Sequence, residues 1–165
     1  MTASDQVHLR PLRDEDLALV YSSWLHDHER SAMTLFADPN NERYVSVGCP
    51  RDAYFAAQKR LIAGILARPN VRVLVACDAE DHDQVFGWAC WETVQGVPVV
   101  HYVFTKRPFR RMGVARRLWN VINPDDVEVV ATHAGSASHA LRQAGVRFRT
   151  KPFLALLSAL DAEAA

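Results

Sequence analysis

The apolar positions of the chain follow two periods. Leu17, Val20, Tyr21, Trp24 and Leu25 recur at i, i+3, i+4, i+7 and i+8, the stripe of an amphipathic helix. Asp14, Glu15 and Asp16 supply an acidic first turn, which suits the positive end of the helix dipole. His26-Asp27-His28-Glu29 closes this helix as a solvated end. Those four residues do not make a metal site, because positions i and i+2 of a helix point apart. A second helix opens at Pro50 and ends at Arg68-Pro69, since the residue before proline avoids the helical region. Its inward face is Tyr54, Leu61, Ile62 and Ile65, with Phe55 and Leu66 beside them. A third stripe, Ala115, Leu118, Trp119 and Ile122, starts behind Gly113. Residues 31–48 show no period, and Asp38-Pro39-Asn40-Asn41 is turn chemistry; a loop of that length often carries function.

The shorter runs read as strands. Val7–Pro11 is the first, followed by Val71–Cys77, Val85–Glu92 and a central apolar run from Val99. Short polar turns at residues 78–83 and at Gln95-Gly96 make these last three an antiparallel meander. Asn123-Pro124 stops the third helix. Val127–Ala131, reached through a helix, is expected to run parallel to its predecessor in sequence. Ser136–Ala144 is a short helix stopped by a left-handed Gly145, and Phe148–Leu157 supplies one or two last strands. Residues 158–165 read as a frayed tail on one domain spanning 1–165, without repeat or linker. The order is β-α-α-β-β-β-α-β-α-β.

With 49% apolar and 23% charged residues, the chain is globular rather than disordered. Nineteen basic residues balance nineteen acidic ones, which disfavours a bulk nucleic-acid coat. Six of the nineteen, however, are Lys106, Arg107, Arg110, Arg111, Arg116 and Arg117. The charge is local, and its expected partner is a compact anion. Cys49, Cys77 and Cys90 are an odd number without Cys-x-x-Cys spacing, so neither a disulfide framework nor a zinc site is expected. Cys77 and Cys90 lie in apolar runs and read as reduced, buried thiols. No apolar segment approaches the length of a membrane span, and a soluble, cytoplasmic protein is the expectation.

The segment Val99–Trp119 joins these features: an apolar strand, a basic turn with Pro108 and Gly113, then an amphipathic helix. The first N–H groups of a helix lack internal partners and attract anions. Gly113 allows close approach, Arg110 and Arg111 add charge, and Arg116 and Arg117 lie beyond the first turn. A phosphate or pyrophosphate is the ligand such a turn expects. Arg110-Arg111-Met112-Gly113-Val114-Ala115 resembles the Arg/Gln-x-x-Gly-x-Gly/Ala signature of the GCN5-related N-acetyltransferases (GNATs). Tyr21-Ser22-Ser23-Trp24-Leu25 and Ala131-Thr132-His133 add a likeness to small GNAT-like proteins often carried by bacteriophages.

This resemblance covers nearly the whole chain. It implies an α/β (α+β) GNAT fold, a mixed central sheet of about six or seven strands flanked by about four helices. It also implies acetyl transfer from acetyl-CoA to a small-molecule or peptide amine. By position, Val103, Phe104 and Thr105 would hold the pantetheine arm through their backbone. Arg110, Arg111, Met112, Gly113, Val114 and Ala115 would hold the pyrophosphate. His101 stands where many GNATs place a glutamate base, and an imidazole titrating near neutral pH can serve; Glu92 is the second candidate. Strand alternation puts Val100 and Phe104 on the helix-packed face and His101 toward the cleft. The position of the usual acidic tyrosine is Leu141, so proton return to the thiolate falls to Ser138, His133, Tyr102 or solvent. Tyr21 and Trp24 are candidates for the acceptor wall. A non-catalytic module binding coenzyme A or a protein, and a phage-type nucleic-acid-modifying relative, are the alternative readings.

Overall fold

The computed structural model describes residues 6–35, 51–133, 141–143 and 145–156. Six strands form one mixed sheet in sequence order: β1 (Val7–Pro11), β2 (Arg72–Asp78), β3 (Val85–Val94), β4 (Val97–Thr105), β5 (Val129–Ala131) and β6 (Phe148–Thr150). The first four are antiparallel neighbours, whereas β4–β5 and β5–β6 are parallel, as expected for strands reached through helical crossovers. The helices are α1 (Leu17–Leu35), α2 (Arg51–Leu66) and α3 (Val114–Ile122), and residues 141–143 are helical.

Helices cover both faces of the sheet. On one face Val20, Trp24 and Leu25 of α1 and Ile62 and Ile65 of α2 pack on Val75, Trp88, Cys90 and Tyr102. On the other, Val114, Leu118 and Ile122 of α3 pack on Ala76, Phe86, Ala89, Trp91 and Val100. Burying each of those three α3 side chains stabilises the fold by about 1.5–3 kcal/mol. The sandwich explains why β3 reads as an unbroken apolar run: Val85 through Glu92 are all buried. Cys77 and Cys90 are free buried thiols, and burial first, then the nearby Glu92, pushes the Cys90 thiol far up. Cys49 lies outside the described residues.

Several boundaries differ from the sequence reading. Residues 14–16 form a 3-10 turn, not the first turn of α1, and Asp16 is buried. Its carboxylate accepts two bonds from Arg10, at 2.6 and 3.0 Å, and one from the Arg13 N–H at 2.9 Å. Burial alone would raise the Asp16 pKa; these bonds and the guanidinium charges outweigh it and hold the carboxyl below its usual range. Helix α1 does not end at His26–Glu29 but continues to Leu35, because nothing there breaks it. On α3 the inward position is Val114 while Ala115 is exposed. The closing segment is one short strand, after which Pro152 starts a 3-10 turn over Pro152–Ala155 in place of further pairing. Gly145 has the left-handed φ of 82° expected of a helix stop.

Gly87 explains how α3 approaches the sheet. A Cβ at this residue would lie 2.3 Å from the Phe104 carbonyl oxygen and 3.2 Å from a Val114 methyl. Gly87→Ala is therefore expected to destabilise the protein by about 1–3 kcal/mol, as overpacking does. A thermal melt checks this, and an unchanged midpoint would show that the contact relaxes freely.

Candidate active site

Strand β4 carries one residue more than β3 can pair. Cys90 faces Tyr102 and Trp91 faces Val100, leaving His101 as the extra residue of a β-bulge. The bulge changes the facing of the strand. Val100 packs with α3 and Phe104 with α1 and α2, so the expected sharing of one face by Val100 and Phe104 is overturned. Simple alternation fails because it assumes no inserted residue.

On its other side β4 pairs with β5 only at Val99–Val130 and Val100–Ala131, with a last bond from Thr132 N–H to Val100 C=O at 3.0 Å. Beyond that point the two strands fork. Lys106 N–H bonds Phe86 C=O at 2.8 Å, so the antiparallel alternation turns the backbone groups of Val103 and Thr105 away from β3, toward the fork. Strand pairing does not use them there.

The fork leads to the basic turn. Arg111 and Gly113 both have positive φ, 74° and 79°, and Gly113 precedes the first residue of α3. The first intrahelical acceptor is Gly113 C=O, bonded by Arg117 N–H at 2.9 Å. The N–H groups of Val114, Ala115 and Arg116 lie ahead of that bond, at the positive end of the helix. A groove of about 400 Å³ runs here, lined by Val103, Thr105, Arg110, Arg111, Gly113 and Ala115, among others. Phe104, Val114 and Arg116 also line it, and Met112 is half-buried beside it. Arg117 turns away, and its guanidinium donates to the Val7 carbonyl on β1. The two arginines beyond the first turn thus part company, Arg116 on the groove and Arg117 in the frame.

His101 is 1% exposed. Its Nε2–H donates to Glu92 Oε1 at 3.1 Å, and the same oxygen accepts from Arg68 Nη1 at 2.7 Å. Arg68 also donates to the Leu154 and Ala155 carbonyls at 3.0 and 2.9 Å. Burial pushes the His101 pKa down to about 4; the Glu92 carboxylate opposes this and Arg68 reinforces it. The expectation of an imidazole titrating near neutral pH is corrected by this desolvation. Nδ1 keeps its lone pair and has no hydrogen-bond partner among the described residues. Glu92, the second candidate base, stands beside His101 as an ion-paired carboxylate.

A narrow cavity of about 30 Å³, room for a single water, lies at the fork. His101, Val103, His133, Leu141 and Asp27 line it. The structure thus brings His133 to His101, and it puts Leu141, the position of the expected tyrosine, at the same place. Tyr102 is committed elsewhere: its hydroxyl donates to the Ser23 carbonyl at 3.0 Å, and its ring stacks between Trp24 and His133. Ser138 lies outside the described residues. Trp24 is 1% exposed, a core residue that also edges a third cavity near α2. Tyr21 is half-buried against the same core and lines none of these three cavities. Asp27 is the site residue the sequence reading missed. It follows Trp24 by three positions, so a continued α1 places it on the sheet side. Among the described residues no cluster of side chains could hold a metal ion, and no helix is long and apolar enough to cross a membrane.

No protein-family model matches the sequence, and no curated protein matches it. Solved structures do match. One, from Corynebacterium glutamicum and described as histone acetyltransferase HPA2 and related acetyltransferase, superposes with a TM-score of 0.51. It is 16% identical, over 85% of this chain and 84% of that one. A predicted acetyltransferase from Clostridium acetobutylicum, solved with acetyl-CoA, gives a TM-score of 0.52 at 12% identity, over 84% and 88% of the two chains. The chain has the GNAT fold. The resemblance implied a mixed sheet of about six or seven strands flanked by about four helices, and the described residues form six strands.

The neutral, buried His101 makes stability depend on pH. Its folded pKa of about 4 lies below the ordinary value of 6.5, so the unfolded chain binds the extra proton between those values. His101 therefore opposes unfolding fully above pH about 6.5, and this contribution is lost as pH falls toward about 4. His101→Gln, which keeps a donor for Glu92, is expected to flatten the loss of melting temperature between pH 7 and pH 5. Parallel pH dependences for the two proteins would refute the assignment.

Proposed function

We propose that the protein is an acetyl-CoA-dependent N-acetyltransferase acting on an amine. The observation that carries this reading is the continuity of groove and fork: Val103 lines both the groove at the α3 N-terminus and the cavity beside His101. The residues present fit acetyl-CoA. Free N–H groups with Arg110 and Arg111 suit a pyrophosphate, and the outward backbone of Val103 and Thr105 suits the amide-bearing pantetheine arm. When bound, acetyl-CoA supplies an activated acetyl thioester, whose C–S bond breaks as a C–N bond forms to the acceptor amine. His101 takes the amine proton at Nδ1 while Nε2–H stays on Glu92, which orients the ring and stabilises its charged form. Asp27 offers a carboxylate to the incoming ammonium. With Leu141 unable to donate, His133 or solvent would return the proton to the departing thiolate. The likeness to phage-carried proteins and a cytoplasmic setting rest on the sequence alone.

Millimolar acetyl-CoA is expected to raise the melting temperature by several degrees, about 2.7 kcal/mol of stabilisation at a hundredfold excess over Kd. Gly113→Asp should remove the shift. Aspartate tolerates the left-handed φ better than most residues, so its effect reports a carboxylate set against the anion site. Arg110→Ala and Arg111→Ala should each weaken acetyl-CoA binding up to about fivefold, as an exposed pair does, whereas Arg117→Ala should lower stability and leave binding alone. Calorimetric titration separates these outcomes; equal losses for all three would replace the helix-terminus site with a diffuse basic patch.

Turnover provides a separate check. His101→Gln is expected to lower kcat about a hundredfold or more, within the usual range for a general base, with acetyl-CoA affinity unchanged. Because His101 is neutral throughout, activity between pH 6 and pH 8 should follow the ionisation of the acceptor amine, about 1 log unit of rate per pH unit, with no imidazole step. A plateau above pH 7 that His101→Gln abolishes would contradict the depressed pKa.

A further inference from the structure

We propose that Arg68 is a positioning residue of the site: it takes up the charge of Glu92, so that His101 is held as a neutral proton acceptor, and it fixes this arrangement against the wall of the neighbouring pocket. The use of that acceptor rests on the acetyl-transfer reading; the arrangement itself does not. Arg68 follows α2 and precedes Pro69, where the helix stops. Its side chain and that of Glu92 are each only 11% exposed. One Glu92 oxygen, Oε1, accepts from both Arg68 Nη1 at 2.7 Å and His101 Nε2 at 3.1 Å. A guanidinium keeps its charge at any working pH, and this one is the closer of the two donors. A buried carboxylate with an imidazole alone beside it draws a proton onto the ring. A carboxylate already ion-paired serves the ring as a hydrogen-bond acceptor and leaves Nδ1 with its lone pair.

Among the described residues, the charged or titratable side chains facing His101 are Glu92 from β3, Arg68, and, across the fork cavity, Asp27 from α1 and His133 from beyond β5. From α3, β5 and β6 come Trp119, Val129, Ala131 and Phe148, and from residues 141–143 comes Leu141, none of them charged. Burial is the largest influence on the ring. Glu92 and Asp27 favour a protonated ring by their sign, and Arg68 is the cation set against them. Its other arm, Nη2, donates to the Leu154 and Ala155 carbonyls at 3.0 and 2.9 Å. Pro152 and Ala155 of that turn, with Ile62 and Ile65 of α2, line a pocket of about 210 Å³ that shares His133 with the fork cavity. One side chain thus sets both the charge beside the base and the place of the wall next to it.

Nitrogen-resolved NMR titration of the full chain tests this without donor or acceptor, the His101 signals being those lost in His101→Gln. In the wild type the ring should stay neutral, protonated at Nε2, until the pH falls to about 4. Arg68→Gln keeps a donor for Glu92 without the charge and should move the titration up by about one unit or more. Arg68→Lys keeps the charge and should leave the titration near that of the wild type. Arg68→Gln combined with Glu92→Gln removes both charges and should bring it back to the wild-type value or below. A wild-type ring protonated at pH about 7, an unmoved titration in Arg68→Gln, or a rise that the double variant keeps overturns the inference; a merely structural loss would not reverse. If Arg68→Gln fails to fold, as loss of one partner of a buried pair can cause, Arg68→Lys decides. A ring titrating about one unit or more above the wild type then overturns the inference, and one that stays low upholds it. Calorimetry separates the acetyl-transfer reading: a wild type that binds no acetyl-CoA removes that reading, while the ring titrations judge Arg68 alone.

Discussion

One unpaired residue in β4 governs the site. A strand in the middle of a sheet ordinarily satisfies its backbone on both edges, and β4 does so only as far as Val100. At His101 the bulge shifts the register against β3, and at Ala131 the pairing with β5 ends. The coincidence of the two irregularities produces three things at once. Backbone groups of Val103 and Thr105 are left open, His101 is set against Glu92, and a narrow gap separates the strands. None of these arises from a special residue type; they follow from one extra position in the ladder with β3 and from the early end of pairing with β5.

Buried charge is used twice, and in each case it joins pieces distant in sequence. Arg10 of β1 holds Asp16 and donates to the His82 carbonyl at 3.0 Å, tying the first strand to the 3-10 turn and to the β2–β3 connection. Arg68 holds Glu92 and the carbonyls of residues 154 and 155. Buried pairs of this kind contribute little net stability once desolvation is counted, yet removing one partner strands the other. Their effect here is positional. The first fixes the entry into α1, and the second fixes the ring of His101.

Much of the fold can be read from period and punctuation. Val20, Trp24 and Leu25 are buried as their spacing requires, and Ile62 and Ile65 likewise, because a helical stripe survives any reasonable docking. The basic turn and Gly113 were readable because their backbone geometry depends on local residue type. What sequence could not supply is long-range register. A bulge leaves no local signature, so the opposite facing of Val100 and Phe104 and the depressed pKa of His101 were missed, together with the pairing of Glu92 to Arg68 across 24 residues. Asp27 was taken for a solvated end because a run of polar residues looks like a helix terminus, although helices continue through such runs when nothing breaks them.

The bonds from Arg68 to residues 154 and 155 span 86 and 87 positions of the chain. Contacts of that separation close large loops and form late, after the local hairpins of β2, β3 and β4 have assembled. Glu92 and His101 are near neighbours on that early meander, but the guanidinium that completes their environment is anchored by the last described turn. A nascent chain therefore holds a half-made charge arrangement until synthesis has passed residue 155. The chemistry of the site is, in this sense, timed by the topology.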